Sequence, residues 1–319
     1  MAGSRGVVIA ALFANGAIAI LKFIGFLLTA SPSMLSETYH SISDTGNQVF
    51  LLIGLRFGGR EADRQHPFGY GKAQFFYSFL VSVFLFGIAG WESLKHGYHV
   101  LTHGGTEAGG AVKFLGFTYQ PPVGFDLFYV NVAVLLAAVA FESYAFKKAW
   151  AEMKRQMAEN DWGGIREAFR KTSDVTTLTA LTEDTIALLG LVVALLGITL
   201  ARVFDEPLFD AAGALVIGGM LMVFAVALAW ENKRLILGES LPADEEGRLR
   251  TVIEEADDVD RIVGFRTVYF GPEEALLSAD VEFRPGLSGT ELDERISAMQ
   301  DAIREANSDV NKIYIEPEV

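Results

Sequence analysis

Six apolar stretches, each close to the twenty or so residues that a helix needs to cross a bilayer, dominate the sequence up to about Trp230. They fall at about 6–30, 33–57, 73–101, 125–150, 174–203 and 207–232. Hydrocarbon offers the backbone no hydrogen-bond partner, so runs of this length are read as helices. Composition agrees: a hydrophobic content of 51% and a mean hydropathy of +0.30 exceed what one water-facing domain uses for its core. The first run is too long for the apolar part of a cleavable signal and is expected to persist as a helix.

Lys and Arg are unevenly shared between the connections. Arg56, Arg60, Arg64 and Lys72 lie between the second and third runs, and Lys147, Lys148, Lys154, Arg155, Arg166, Arg170 and Lys171 lie between the fourth and fifth. The connections on the other side are poorer in them, with none between Ser31 and Ser36, Lys95 and Lys113 between the third and fourth runs, and only Arg202 after the fifth. Basic residues stay on the cytoplasmic side, so both termini are expected there, which six spans permit. A cell (inner) membrane location follows as the expectation. The glycine-rich stretch Gly104, Gly105, Gly109 and Gly110 reads as a flexible loop on the far side.

From about Leu235 the pattern changes to that of a water-soluble domain. A helix is expected over 243–256, strands over 262–270 and 275–283, a helix over 290–307 and a last strand over 312–315, with Gly271-Pro272 and Pro285-Gly286 as turns. The order α-β-β-α-β predicts a small α+β, ferredoxin-like sheet with helices on one face. The expected organisation is a six-helix transmembrane transport domain over 1–234 and a cytoplasmic dimerisation domain over 235–319. So short a tail has little core, which favours docking on a second copy as a homodimer.

Several function classes are excluded early. The chain has no cysteine, so thiolate metal sites, disulfides and a Cys nucleophile are out. A formal net charge of -14 does not suit nucleic acid, whose phosphates need a basic surface. Most of that acidity sits in the tail, for example at Asp244, Glu245, Glu246, Glu254, Glu255, Asp257, Asp258 and Asp260, and is read as a solvated face.

Ionisable groups inside apolar runs cost several kcal/mol each and so point to function. In the second run Glu37, His40, Asp44, Asn47 and Gln48 stand where lipid is expected. His40 and Asp44 are four apart and share a helical face, continued one turn on by Asn47 and Gln48. An imidazole and a carboxylate so placed suit one divalent cation. The fifth run adds Glu183 and Asp184, which point roughly a hundred degrees apart on a helix. Two helices offering such groups at similar depth would close a four-coordinate site. The plainer alternative is a His40–Asp44 hydrogen bond within a helix interface.

The run Ser33-Met-Leu-Ser-Glu-Thr-Tyr-His40-Ser-Ile-Ser-Asp44-Thr-Gly-Asn-Gln48, followed by His66-Pro-Phe-Gly-Tyr-Gly-Lys72, resembles the cation diffusion facilitator family, and the similarity extends over the whole chain. The resemblance implies a homodimeric exchanger in the lipid bilayer. Its cargo is a divalent transition-metal cation, zinc first, with manganese, iron(II) or cobalt also within reach. That cation leaves the cytoplasm against inward protons, as a transported substrate and with no organic cofactor. It carries a ligand role onto His40 and Asp44, and onto Asp184 as the later member of the fifth-span pair. The earlier member falls on Ala180, which offers no ligand. That departure resembles the branch with the animal mitochondrial zinc transporter, where a Glu-Asp pair matches Glu183 and Asp184. Glu183, Asn47 or water remain for the fourth position. Asp63 and His66 match a peripheral metal site, but Tyr70 stands where a further His is often found, so weak binding or none is expected. The tail has no His, so the family's regulatory zinc cluster is not expected. Lys72 and Asp210 match a pair that ties the third and sixth spans together. The rival readings are an intramembrane metal-dependent hydrolase, which lacks its H-E-x-x-H motif here, and a passive cation channel; an enzyme is not expected.

Overall fold

In the computed structural model the backbone is described for residues 2–103, 112–114, 117–119, 128–159, 162–171, 175–272 and 274–318, and side chains for 12–13, 15–50, 52–102, 128–159, 162–168, 181–272 and 274–318. Two compact units are present, one made of Met1–Phe50 with Leu80–Leu228 and the other of Leu51–Phe79 with Ala229–Val319.

The long helices are α1 (Ala2–Thr29), α2 (Pro32–Gly58), α3 (Lys72–Phe84), α4 (Trp91–His103), α5 (Phe128–Glu159), α7 (Val175–Phe204) and α8 (Leu208–Leu237), with a short α6 (Ile165–Lys171) before α7. A π-turn over Leu85–Gly90 joins α3 to α4, so that the two form one continuous rod. Among the described residues, four stretches are long and apolar enough to cross a membrane: 72–102, 128–159, 181–204 and 208–237. Among the described residues the apolar part of α1, Asn15–Thr29, is shorter, and α2 carries the polar residues expected of it. A small hairpin, β1 (Val112–Phe114) with β2 (Phe117–Tyr119), follows α4. Gly104, Gly105, Gly109 and Gly110 lie outside the described residues.

Helix α2 is the interior helix of the first unit. Every residue from 31 to 41 is buried, which is why a segment this polar is held at all: its partners are other helices and not lipid. Its start is set locally. Ser31 caps it, accepting from the Met34 backbone N–H at 3.2 Å, and Pro32 takes the first helical position, where a missing N–H costs nothing. The apolar packing around it comes from Phe26, Met34, Leu35, Leu135, Leu191, Ile217 and Leu221.

The second unit contains the C-terminal tail: α9 (Ala243–Glu254), β3 (Val259–Gly271), β4 (Glu274–Phe283), α10 (Gly289–Ala306) and β5 (Val310–Glu318). The sheet order is β3-β4-β5, antiparallel on one side of β4 and parallel on the other, as the α-β-β-α-β order requires. Along β4 every second residue, Ala275, Leu277, Ala279, Val281 and Phe283, is buried, and these meet Leu249 and Ile253 of α9 and Met299 and Ile303 of α10. β3 starts three residues earlier and ends one later than the sequence suggests, and β5 is longer by two residues at its start and three at its end, because backbone pairing continues past the apolar residues. The expected membrane bundle with a small α+β domain is therefore the fold.

Candidate metal centre

The seam between α2 and α7 carries the polar residues. On α2, Glu37, His40, Asp44 and Asn47 follow each other at spacings of three, four and three, which is one helical stripe. His40 Nε2 lies 3.2 Å from Asp44 Oδ2, with side-chain exposures of 3% and 12%. The imidazole nitrogen nevertheless makes no directed hydrogen bond with a described residue. Two potential ligands side by side without a hydrogen bond between them suit a shared cation.

From α7, Glu183 reaches this stripe. Asn47 Nδ2 donates to Glu183 Oε1 at 3.3 Å, and the Glu183 carboxyl lies in hydrogen-bonding range of Asp44. Two neighbouring carboxylates in so dry a place need a proton or a cation between them. Asp184, on the next helical position, has Glu142 of α5 and Glu183 as its electrostatic neighbours. The structure thus brings His40, Asp44, Asn47 and Glu183 together, with Asp184 half-buried beside Glu183 on α7. Among the described residues, no three His, Asp or Glu side chains converge closely enough to hold a metal ion. Ala180 lies on a turn of α7 whose side chains are outside the described residues.

Two charged residues of this region, Lys22 and Glu142, escaped the sequence reading. Lys22 of α1 is fully buried, and its Nζ lies 2.8 Å from Glu37 Oε2, itself 1% exposed. Glu142 of α5 lies within Coulombic reach of His40, Asp44 and Lys22. Each stands alone in an apolar run, and that isolation was the available signal: a lone Lys or Glu in such a run needs an internal partner.

Outside the seam the matched residues take other roles. Asp63 caps its own turn, accepting at Oδ1 from the Gln65 and His66 backbone N–H groups at 2.8 Å, while the Tyr70 hydroxyl donates to Oδ2 at 2.7 Å. These bonds, the Tyr70 one foremost, hold its carboxyl down at about 2 and raise the Tyr70 hydroxyl. The Asp63 oxygens that a metal would use are thereby engaged. Lys72 donates to the Ile236 carbonyl at 3.4 Å, at the end of α8, where a cation is favoured. Asp210 accepts from the Ser33 N–H at 3.1 Å, and the Ser33 hydroxyl donates to its carbonyl at 2.8 Å.

A family model described as the cation efflux transmembrane domain matches residues 8–237. The chain belongs to the cation efflux family. Cation efflux proteins are membrane transporters and not enzymes, which removes the hydrolase reading. Relatives of this cation efflux protein include the mitochondrial proton-coupled zinc antiporter of Mus musculus, 27% identical over 88% of this chain and 46% of the relative. They include metal tolerance protein C4 of Arabidopsis thaliana, 25% identical over 88% of this chain and 57% of that protein. The cation-efflux pump FieF of Pectobacterium carotovorum is 24% identical over 79% and 72% respectively. The chain spans about half the length of the first two.

Proposed function

We propose that this protein moves a divalent transition-metal cation, zinc first, out of the cytoplasm in exchange for protons, through a site formed by His40, Asp44, Glu183 and Asp184. The observation that carries the reading is the contact of Glu183 with Asp44 and Asn47 beside the His40–Asp44 pair, in the interior of an apolar bundle. A nitrogen and carboxylate oxygens are the donors that zinc, manganese and iron(II) accept, with the single imidazole tilting the set towards zinc. The names of the relatives, a proton-coupled zinc antiporter and a metal tolerance protein, support cargo and coupling alike.

His40 couples the two ions. Imidazole binds metal only without its proton, so protons arriving from the outer side displace the cation, and alternating access lets each ion meet the same residues from opposite faces. Asp184 is an α7 ligand, and Glu183 is either a further ligand or the proton carrier beside it. Residues 1–234 form the transport domain in this reading, with both termini cytoplasmic in an inner membrane, and residues 235–319 join two copies into a homodimer.

Sealed vesicles holding the full chain and a pH-sensitive dye test the reading. An outward zinc gradient acidifies the lumen in step with zinc flux if zinc leaves in exchange for protons, and alkalinisation would mean that the two ions move together. Zinc flux without proton movement would mean a passive channel. Cys introduced at Gly104 is labelled by an impermeant reagent from outside and Cys at Ala158 is not; the opposite pattern reverses the orientation.

A further inference from the structure

Lys22 and Glu37 form a buried ion pair that the transport reading leaves unused. Glu37 lies one turn from His40 on the same stripe of α2, on the side of the α1–α2 turn. Its Oε2 is taken by Lys22 Nζ at 2.8 Å, while Oε1 is fully buried and accepts no hydrogen bond from any described residue.

The bundle makes room for that free oxygen. A Cβ on Gly190 of α7 would stand 2.6 Å from Glu37 Oε1, so only glycine at this position lets the carboxylate press against α7. Gly190 is seven residues after Glu183, two turns along one face. The contacts Asn47 to Glu183 and Glu37 to Gly190 therefore mark two ends of one antiparallel α2–α7 seam, with Asp44 and His40 between them. Lys22 from α1 and Glu142 from α5 are the other charges in reach of His40 there. A carboxylate with one oxygen on a lysine and one bare, one turn from an imidazole, exchanges one cation for another at little reorganisation.

We propose that Glu37 is a transit ligand for the cation on the α1–α2-turn side of the His40–Asp44 pair, and that Lys22 is the resident counter-ion which the cation displaces. The inference rests on the transport reading above. Lys22 keeps the seam neutral when no metal is at Glu37 and returns to it when the metal has left. The pair thereby makes release from the His40–Asp44 site stepwise.

The test uses the full chain, in detergent for zinc binding and in vesicles for zinc flux, with Lys22→Met/Glu37→Gln as the main variant. Removing both charges together leaves no unpaired ion in the core. The inference predicts zinc binding at equilibrium close to that of the parent, with the maximal flux lowered about ten- to a hundred-fold at an unchanged half-saturating concentration. Lys22→Arg, which keeps the counter-charge, retains most of the flux. Parent-like flux in the double variant would overturn the inference and leave the pair as packing alone, and so would loss of zinc binding with the fold. His40→Ala separates the two levels: if it transports normally the site reading itself fails, whereas an inactive His40→Ala beside a normal double variant sinks only the role of Glu37.

Discussion

The interior of the membrane bundle and that of the tail are built on opposite rules. Around α2 the bundle buries Lys22, Glu37 and His40, beside Ser33, Ser36, Thr38 and Ser41. The tail buries Leu249, Ile253, Leu277, Val281, Ile303 and Val310, with Thr267 as its one buried polar residue among those described. Tail ion pairs, such as Arg266–Asp280 and Arg304–Asp301, are formed by side chains with an exposed arginine. A charge taken out of water costs several kcal/mol and an exposed pair contributes little. The tail accordingly uses charge at its surface, and the bundle buries it beside the proposed site.

Breaking the contrast on the bundle side gives the largest effects. Lys22→Met alone leaves Glu37 buried without its partner, and a loss of about 3–5 kcal/mol is expected. A lower thermal midpoint of the full chain, substantially restored in Lys22→Met/Glu37→Gln, checks it; equal midpoints for single and double variants would show that the pair is not coupled. On the tail side, Leu277→Ala removes a fully buried side chain from the centre of β4 and is expected to cost about 2–5 kcal/mol. Hydrogen exchange over 243–318 reads this, and the zinc flux per folded molecule should not change.

Much of this contrast was legible in the sequence. The alternation along 275–283, the Gly-Pro and Pro-Gly turns and the apolar runs announced their elements because each is a local, periodic signal. His40, Asp44 and Glu183 stood out for the same reason, as polar groups in apolar surroundings. Lys22 did not, because one cation in a run as apolar as α1 leaves its periodicity intact and its partner lies 15 residues away. Nor did the π-turn at Leu85–Gly90, which depends on packing: a Cβ on Gly90 would stand 2.6 Å from the Met222 side chain. Which of Glu183 and Asp184 faces α2 was equally beyond the sequence, since helix rotation is set by the neighbours.

Smaller effects sharpen the picture at the surface. Ser288 caps α10 in a reciprocal box with Glu291, accepting at 3.3 Å and receiving the Glu291 carboxylate on its own N–H at 2.8 Å. Ser288→Ala should cost about 1 kcal/mol, visible as a shift in the denaturant midpoint of the tail transition. Asp63 gives the smallest effect. Its folded-state carboxyl is depressed to about 2, so the turn is supported above the ordinary carboxylate range and loses that support as pH falls through about 2. Tyr70→Phe removes the strongest of its hydrogen bonds, and the midpoint of the Asp63 carbon resonance should rise towards about 4. An unchanged midpoint would mean that the backbone N–H groups alone hold the charge.

The central claim, that the α2–α7 seam holds metal and protons at the same residues, is tested most directly by zinc binding to the full chain in weakly buffered detergent with a pH indicator. The account predicts that zinc uptake releases protons in the parent, and that binding and proton release disappear together in Asp184→Ala and in His40→Ala while the protein stays folded and monodisperse. Zinc bound tightly by both variants, with the same proton release as the parent, would contradict it.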